Sequence, residues 1–122
     1  MLGQDVVLPL QLLKHPSWDY VALGHIHQHQ AIDPERAPPV VYAGSIERID
    51  FGEEQEDKGF IVAEVERGSC SWAFRKLDVR AFRTVRVTAD GDDPTAQIVA
   101  ALERAPIEDA VVRLIVRTTA DR

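Results

Sequence analysis

Asp19-Tyr20-Val21-Ala22-Leu23-Gly24-His25-Ile26-His27-Gln28-His29 is the stretch on which the reading of this 122-residue chain turns. Tyr20 to Leu23 is a brief continuous apolar run closed by a glycine, the pattern of a strand buried on both faces. Whatever follows Gly24 therefore emerges at the carboxyl end of that strand. Three of the chain's 4 histidines sit there. Imidazole is a good ligand for zinc, manganese, iron and related ions, and two histidines one residue apart project in the same general direction from extended backbone. Gly24 is expected to spare bulk where backbone and ion approach. On these residues alone three readings stay open: metal ligation, exposed histidines, or histidines that pack and hydrogen-bond in the core. His29 suits ligation less than His25 and His27, and His15, beside Pro16, reads as a loop residue.

Working outward, Pro9 serves as an early helical residue and Leu10, Leu12 and Leu13 supply the apolar side chains of a short helix ending near Lys14. Ala37-Pro38-Pro39 interrupts structure before a second short strand, Val40 to Ala43, that stops at Gly44-Ser45. The acidic stretch Glu53 to Asp57 reads as a solvated loop. Phe60 to Glu66 alternates, with Ile61, Ala63 and Val65 on one face. Arg67-Gly68 makes a turn, and Cys70, Trp72 and Phe74 share one side of a returning strand, which predicts a hairpin.

From Phe82 the pattern becomes strand, helix, strand. Val85 and Val87 favour a strand to Thr88. Asp92 or Asp93 caps a helix beginning at Pro94, with Ile98, Ala101, Leu102 and Ala105 on one face up to Pro106. Ala110 to Arg117 is a last strand, with Val112, Leu114 and Val116 facing one way. The fold class expected is mixed α/β, with a first unit over 1–77 and a second over 78–122. No Gly- or Ser-rich linker marks the change near Leu77 to Ala81, so one continuous domain stays open as the alternative.

The composition, 45% hydrophobic and 28% charged, is that of a globular chain able to build a core. No apolar run approaches the roughly 20 residues of a membrane span, and Met1 to Leu13 lacks a basic end, so the chain reads as cytoplasmic with no membrane partner. Cys70, the single cysteine, fits a small core residue. A formal charge of −6 argues against a protein that coats nucleic acid generally. The imbalance is local: Lys and Arg number 5 against 12 acids over residues 1–70, and 9 against 8 over 71–122. Between Arg67 and Arg86 six basic residues face only Asp78. Of these, Arg80, Arg83 and Arg86 are candidates for phosphate contacts, against the alternative of a solvated strand face.

Asp19 to His27, then Val41-Tyr42-Ala43-Gly44-Ser45, then Asp50-Phe51-Gly52-Glu53-Glu54 and Lys58-Gly59-Phe60, in this order and spacing, resemble the closing part of the phosphoesterase domain of the SbcD family. That family is the nuclease subunit of the bacterial SbcC and SbcD complex, related to the meiotic-recombination nuclease of archaea and eukaryotes. The resemblance covers about Asp19 to Glu66 and is looser from Leu77 to Arg117. It implies the carboxyl-terminal part of a calcineurin-like metallophosphoesterase β-sandwich over 1–77, followed by part of a small αβ capping domain over 78–122. It also implies a two-manganese site in which His25 binds one metal and His27 the other. The metals of that family hold a scissile phosphate, activate a water and stabilise the departing oxygen, so that DNA ends are hydrolysed in double-strand-break repair. The partners implied are DNA and a coiled-coil ATPase of the SbcC type.

The sequence departs from the family in what it lacks. The family's earlier motifs, an Asp-x-His, a bridging Asp, an Asn-His pair and a further lone His, should lie upstream of His25, and the chain contains no asparagine at all. Two histidines without carboxylate neighbours hold a divalent ion weakly. The chain is therefore expected to be a fragment, inactive alone, with no catalytic residue beyond the metal ligands. Strand edges left open by the missing sheet predict a homo-oligomer. Two other readings remain: a non-catalytic module that binds DNA or docks a partner, and another metallophosphoesterase such as a phosphatase.

Overall fold

Val40 and Val41, each 1% exposed, are the most enclosed apolar side chains among the described residues, and they lie in the middle strand of a small sheet. The computed structural model describes residues 7–118. The sheet comprises β1 (Val21–Leu23), β2 (Gln30–Ile32) and β3 (Val40–Tyr42) in the order β1-β3-β2. β1 runs parallel to β3, pairing Ala22 with Val41, and β2 runs antiparallel to it, pairing Ala31 with Val41. With a neighbour on each side, β3 is shielded along both edges, which is why its valines are enclosed.

β1 is not buried on both faces as expected. Ala22 is exposed and Val21 and Leu23 are half-buried, because the strand lies at the edge of a sheet of three-residue strands. β2 has no signature in the sequence, for Gln30-Ala31-Ile32 carries no periodicity and owes its extended form to pairing with β3.

The expected short helix is α1, Leu10–Leu13, and Pro9 is its extended N-cap (φ −68°, ψ 137°) rather than its first helical residue. Lys14 follows it and is only 4% exposed. Its Nζ donates to the carbonyls of Asp33 (2.8 Å), Pro38 (2.9 Å) and Arg36. An ammonium group has three protons to give, so these carbonyls satisfy it fully and tie the loop before β3 to the end of α1.

The hairpin forms as its alternation predicts: β4 (Gly59–Glu66) pairs antiparallel with β5 (Ser69–Lys76). Ile61 opposes Phe74, Ala63 opposes Trp72 and Val65 opposes Cys70, so these six side chains share one face. Arg67 and Gly68 make the turn, and the Gly68 N–H donates to Asp19 Oδ1 at 2.7 Å. Burial, and to a lesser extent the Asp19 carboxylate, pushes the Cys70 thiol up from its ordinary value.

The chain divides into two compact units, Met1–Ile46 with Glu56–Asp78, and Glu47–Gln55 with Val79–Arg122. In the second, β6 (Phe82–Thr88) and β7 (Val111–Arg117) pair in parallel and α2 (Pro94–Arg104) connects them. The helix begins as its sequence dictates: Asp93 is the N-cap, its carboxylate accepts the Ala96 N–H at 2.9 Å, and Pro94 occupies the first turn. Ile98, Ala100, Ala101 and Leu102 are the half-buried residues of α2, and Val87 of β6 and Ala89 just after it are buried. In β7, Leu114 and Val116 stay 38% and 40% exposed despite the alternation that groups them with Val112.

Glu47–Gln55 belongs to this second unit through specific contacts. A single 3₁₀ turn, Phe51–Glu53, is capped by Asp50, whose Oδ1 accepts the Gly52 N–H at 2.6 Å. The Phe51 and Phe82 rings meet at 4.9 Å, and the Arg113 guanidinium lies 4.5 Å above the Phe51 ring. The acidic stretch is thus not a solvated loop at its start. Glu53 is 6% exposed and its carboxylate accepts the Ile49 N–H at 3.3 Å. Glu54 accepts both the backbone N–H (3.0 Å) and the hydroxyl (2.6 Å) of Thr84.

Candidate metal centre

β1 stops at Leu23 and the chain turns at His25, which takes the left-handed conformation (φ 74°) that few non-glycine residues adopt. Held strain of this kind clusters at sites where a side chain must be aimed. His25, Ile26, His27 and Gln28 are all exposed.

The loop is fixed from beneath through the carbonyl of His27. It accepts the Ser45 N–H at 2.9 Å and the Lys58 ammonium at 3.3 Å. Lys58 is fully enclosed and also pairs with Glu56 at 2.8 Å. The Gly59 N–H donates to the Ser45 carbonyl at 3.2 Å, which ties the start of the hairpin to the same turn. Gly44 makes that turn possible with φ +83°, pressed close against the backbone of His27 and His29. The steric demand expected at Gly24 falls here instead: a Cβ on Gly24 would meet no protein atom within 4 Å.

His29 has a different role from its two neighbours. Its ring lies flat on Phe74, with centroids 4.2 Å apart and planes 6° apart, and edge-on to Trp72 at 6.0 Å. Its Nδ1 is 2.9 Å from the carbonyl of Tyr42. A carbonyl can only accept, so Nδ1 carries the proton. Imidazole is here a wall of the hairpin face, tying the end of the loop to β3.

The donor chemistry of His25 and His27 fits a divalent transition metal. Their number fits only part of a site: among the described residues no three His, Cys, Asp or Glu side chains group closely enough to hold an ion. No family model matches the chain. Over 58 residues, 48% of its length, it is 38% identical to an uncharacterised metallophosphoesterase, YhaO, of Bacillus subtilis, 14% of which is covered. Over 110 residues, 89% of its length, it is 30% identical to the SbcD component of the SbcCD nuclease of Rhodobacter capsulatus, 25% of which is covered. These similarities point to the metallophosphoesterase superfamily, and the chain spans a quarter or less of the length of these relatives.

The arginines singled out in the sequence do not form one ridge. Arg80 precedes β6, and its carbonyl accepts from Arg48 Nη1 at 3.2 Å. Arg83 and Arg86 are both exposed on β6, but an odd separation along a strand puts them on opposite faces. Arg86 shares its face with Thr84 and Arg113, which are paired across the sheet. Arg113 donates from Nε (3.2 Å) and Nη2 (2.9 Å) to the Thr84 hydroxyl. Sequence reasoning missed the part played by Lys58. The one signal for it was its place in Lys58-Gly59-Phe60, a charge set directly against the start of a hairpin strand.

Proposed function

We propose that this chain supplies two metal-ligating histidines, His25 and His27, to a two-metal phosphodiesterase of the SbcD nuclease type that hydrolyses DNA ends. The observation that carries this reading is the left-handed turn at His25, directly after a parallel strand, in a loop whose His27 carbonyl is held by two donors. The likeness to the SbcD component of a SbcCD nuclease across 89% of the chain supports the choice of substrate. Two divalent ions, manganese by this reading, supply the Lewis acidity and the activated water of the reaction. This chain's residues hold and aim two of the ligands, and the other donors come from elsewhere in the working protein.

In the same reading 1–77 closes the phosphoesterase domain and 78–122 is part of a capping domain, in which Arg80, Arg83 and Arg86 are the candidates for DNA phosphate contacts, Arg83 and Arg86 from opposite faces of β6. The working protein is cytoplasmic and acts with a coiled-coil ATPase of the SbcC type, and the chain self-associates. A different metallophosphoesterase is the second reading, favoured by the 38% identity to YhaO.

Calorimetric titration of the chain with manganese tests the assignment. Weak binding abolished by His25→Ala with His27→Ala is expected, and tight binding indifferent to both changes would contradict it. For the protein in which all ligands are assembled, cleavage of duplex DNA ends supports the first reading. Hydrolysis of small phosphoesters without DNA cleavage supports the second.

A further inference from the structure

Lys58 is the most enclosed charged side chain among the described residues. It is 0% exposed, yet it carries a charge. Its ion pair with half-buried Glu56 is poor evidence of a contribution to stability, because apolar replacement of the partners of an enclosed pair is often neutral or better. What the Lys58–Glu56 pair provides that apolar side chains could not is a hydrogen bond to the carbonyl of His27 at 3.3 Å.

That carbonyl also accepts the Ser45 N–H. Two donors on one oxygen set the plane of the peptide that follows His27, and with it the direction in which the side chain of His27 leaves the backbone. The anchor at the other end is rigid. Lys58 accepts the Leu77 N–H at 2.8 Å through its own carbonyl, and it adjoins the eight-residue ladder of β4. Charge is also accommodated: Glu56 at 2.8 Å neutralises the ammonium, so a lysine can stand behind a cation site without repelling its ion.

We infer that Lys58 is a positioning residue that braces the His25–His27 loop for divalent metal, acting through the carbonyl of His27. The inference rests on the reading of those histidines as ligands. Groups that orient metal ligands without touching the metal typically change affinity by roughly 10–100-fold.

The test compares the wild-type chain with the Lys58→Met, Glu56→Gln double variant, which has the same net charge, so that lost affinity reports geometry. Manganese is titrated while broadening of the imidazole resonances of His25 and His27 is followed. Hydrogen exchange of the Ser45 amide is measured separately without metal. The double variant is expected to bind manganese about tenfold more weakly and to exchange the Ser45 amide about tenfold faster, well below its unfolding temperature. A purely structural role would lower the unfolding temperature and move neither readout. Unchanged affinity and exchange in the folded variant would overturn the inference.

If the wild-type chain broadens neither histidine, the metal reading fails by itself, and the Ser45 amide still decides whether Lys58 braces the loop. If the double variant does not fold, Lys58→Arg carries the test. It keeps the charge and the Glu56 pair but is too bulky for the enclosed slot, so both readouts should move by about threefold or more. No change in either would overturn the inference equally.

Discussion

Gly44 stands against the backbone of His27: a Cβ at this position would lie 2.8 Å from the His27 carbonyl oxygen, and 2.9 Å from the His29 nitrogen. The obstacle is main chain, which cannot swing aside as a side-chain tip would. The positive φ of +83° adds a conformational penalty of about 1–2 kcal/mol for any L side chain. Gly44→Ala should therefore destabilise the first unit by roughly 2–4 kcal/mol and displace the His25–His27 loop. Gly24→Ala, one residue before the turn, should cost less than about 0.5 kcal/mol by sterics, because its Cβ meets nothing. Denaturant unfolding of the two variants checks the contrast, and equal losses would remove the distinction between these glycines.

The stacking of His29 on Phe74 and its proton on Nδ1 give this residue a packing role. His29→Ala removes a stacked ring and leaves the Tyr42 carbonyl without that donor, a loss of about 1–3 kcal/mol by denaturant unfolding. Manganese affinity of the folded variant should be unchanged. Nitrogen-15 shifts of the imidazole should show the neutral tautomer protonated at Nδ1, and a tautomer protonated only at Nε2 would contradict the bond to Tyr42.

Two hydrogen bonds from Thr84, hydroxyl first and backbone second, hold the Glu54 carboxyl below its ordinary value of 4.5, with smaller help from Arg113 and Arg86. A folded-state value below the unfolded one means the unfolded chain binds more protons in that interval. The stabilisation from Glu54 is thus fully present above about pH 4.5 and is lost as the pH falls through the lowered folded value. Acid titration of folding should show this loss in the wild-type chain and a shallower one in Glu54→Gln. Identical acid limbs would show that the Thr84 contacts do not favour the ionised form.

Much of the architecture is legible from local pattern because local chemistry decides it. Alternation fixes the β4–β5 hairpin, and Asp93 with Pro94 fixes the start of α2. The glycine-terminated run before the histidines likewise marks where β1 ends. What local pattern does not encode depends on residues far apart in sequence. β2 is extended because β3 pairs with it, and the ammonium groups of buried Lys14 and Lys58 give protons to carbonyls far away in sequence. Lysine in a sequence reads as surface, and the cradle that reverses this is invisible until the chain is folded. Glu54 and Thr84 lie 30 residues apart, so the acidic stretch gave no sign of its partner. Between the two glycines of the site, sequence pointed at the one beside the histidines, while the close approach falls at Gly44.

Because Glu47–Gln55 belongs with Val79–Arg122 while residues on both sides of it belong to the other unit, the polypeptide passes from one unit to the other three times. A single cut after Asp78 would not liberate an independent second unit. It would strip Phe82 of the Phe51 ring and Thr84 of its carboxylate acceptor. Dissecting this protein into self-sufficient halves requires circular rearrangement or grafting of the 47–55 segment, not truncation.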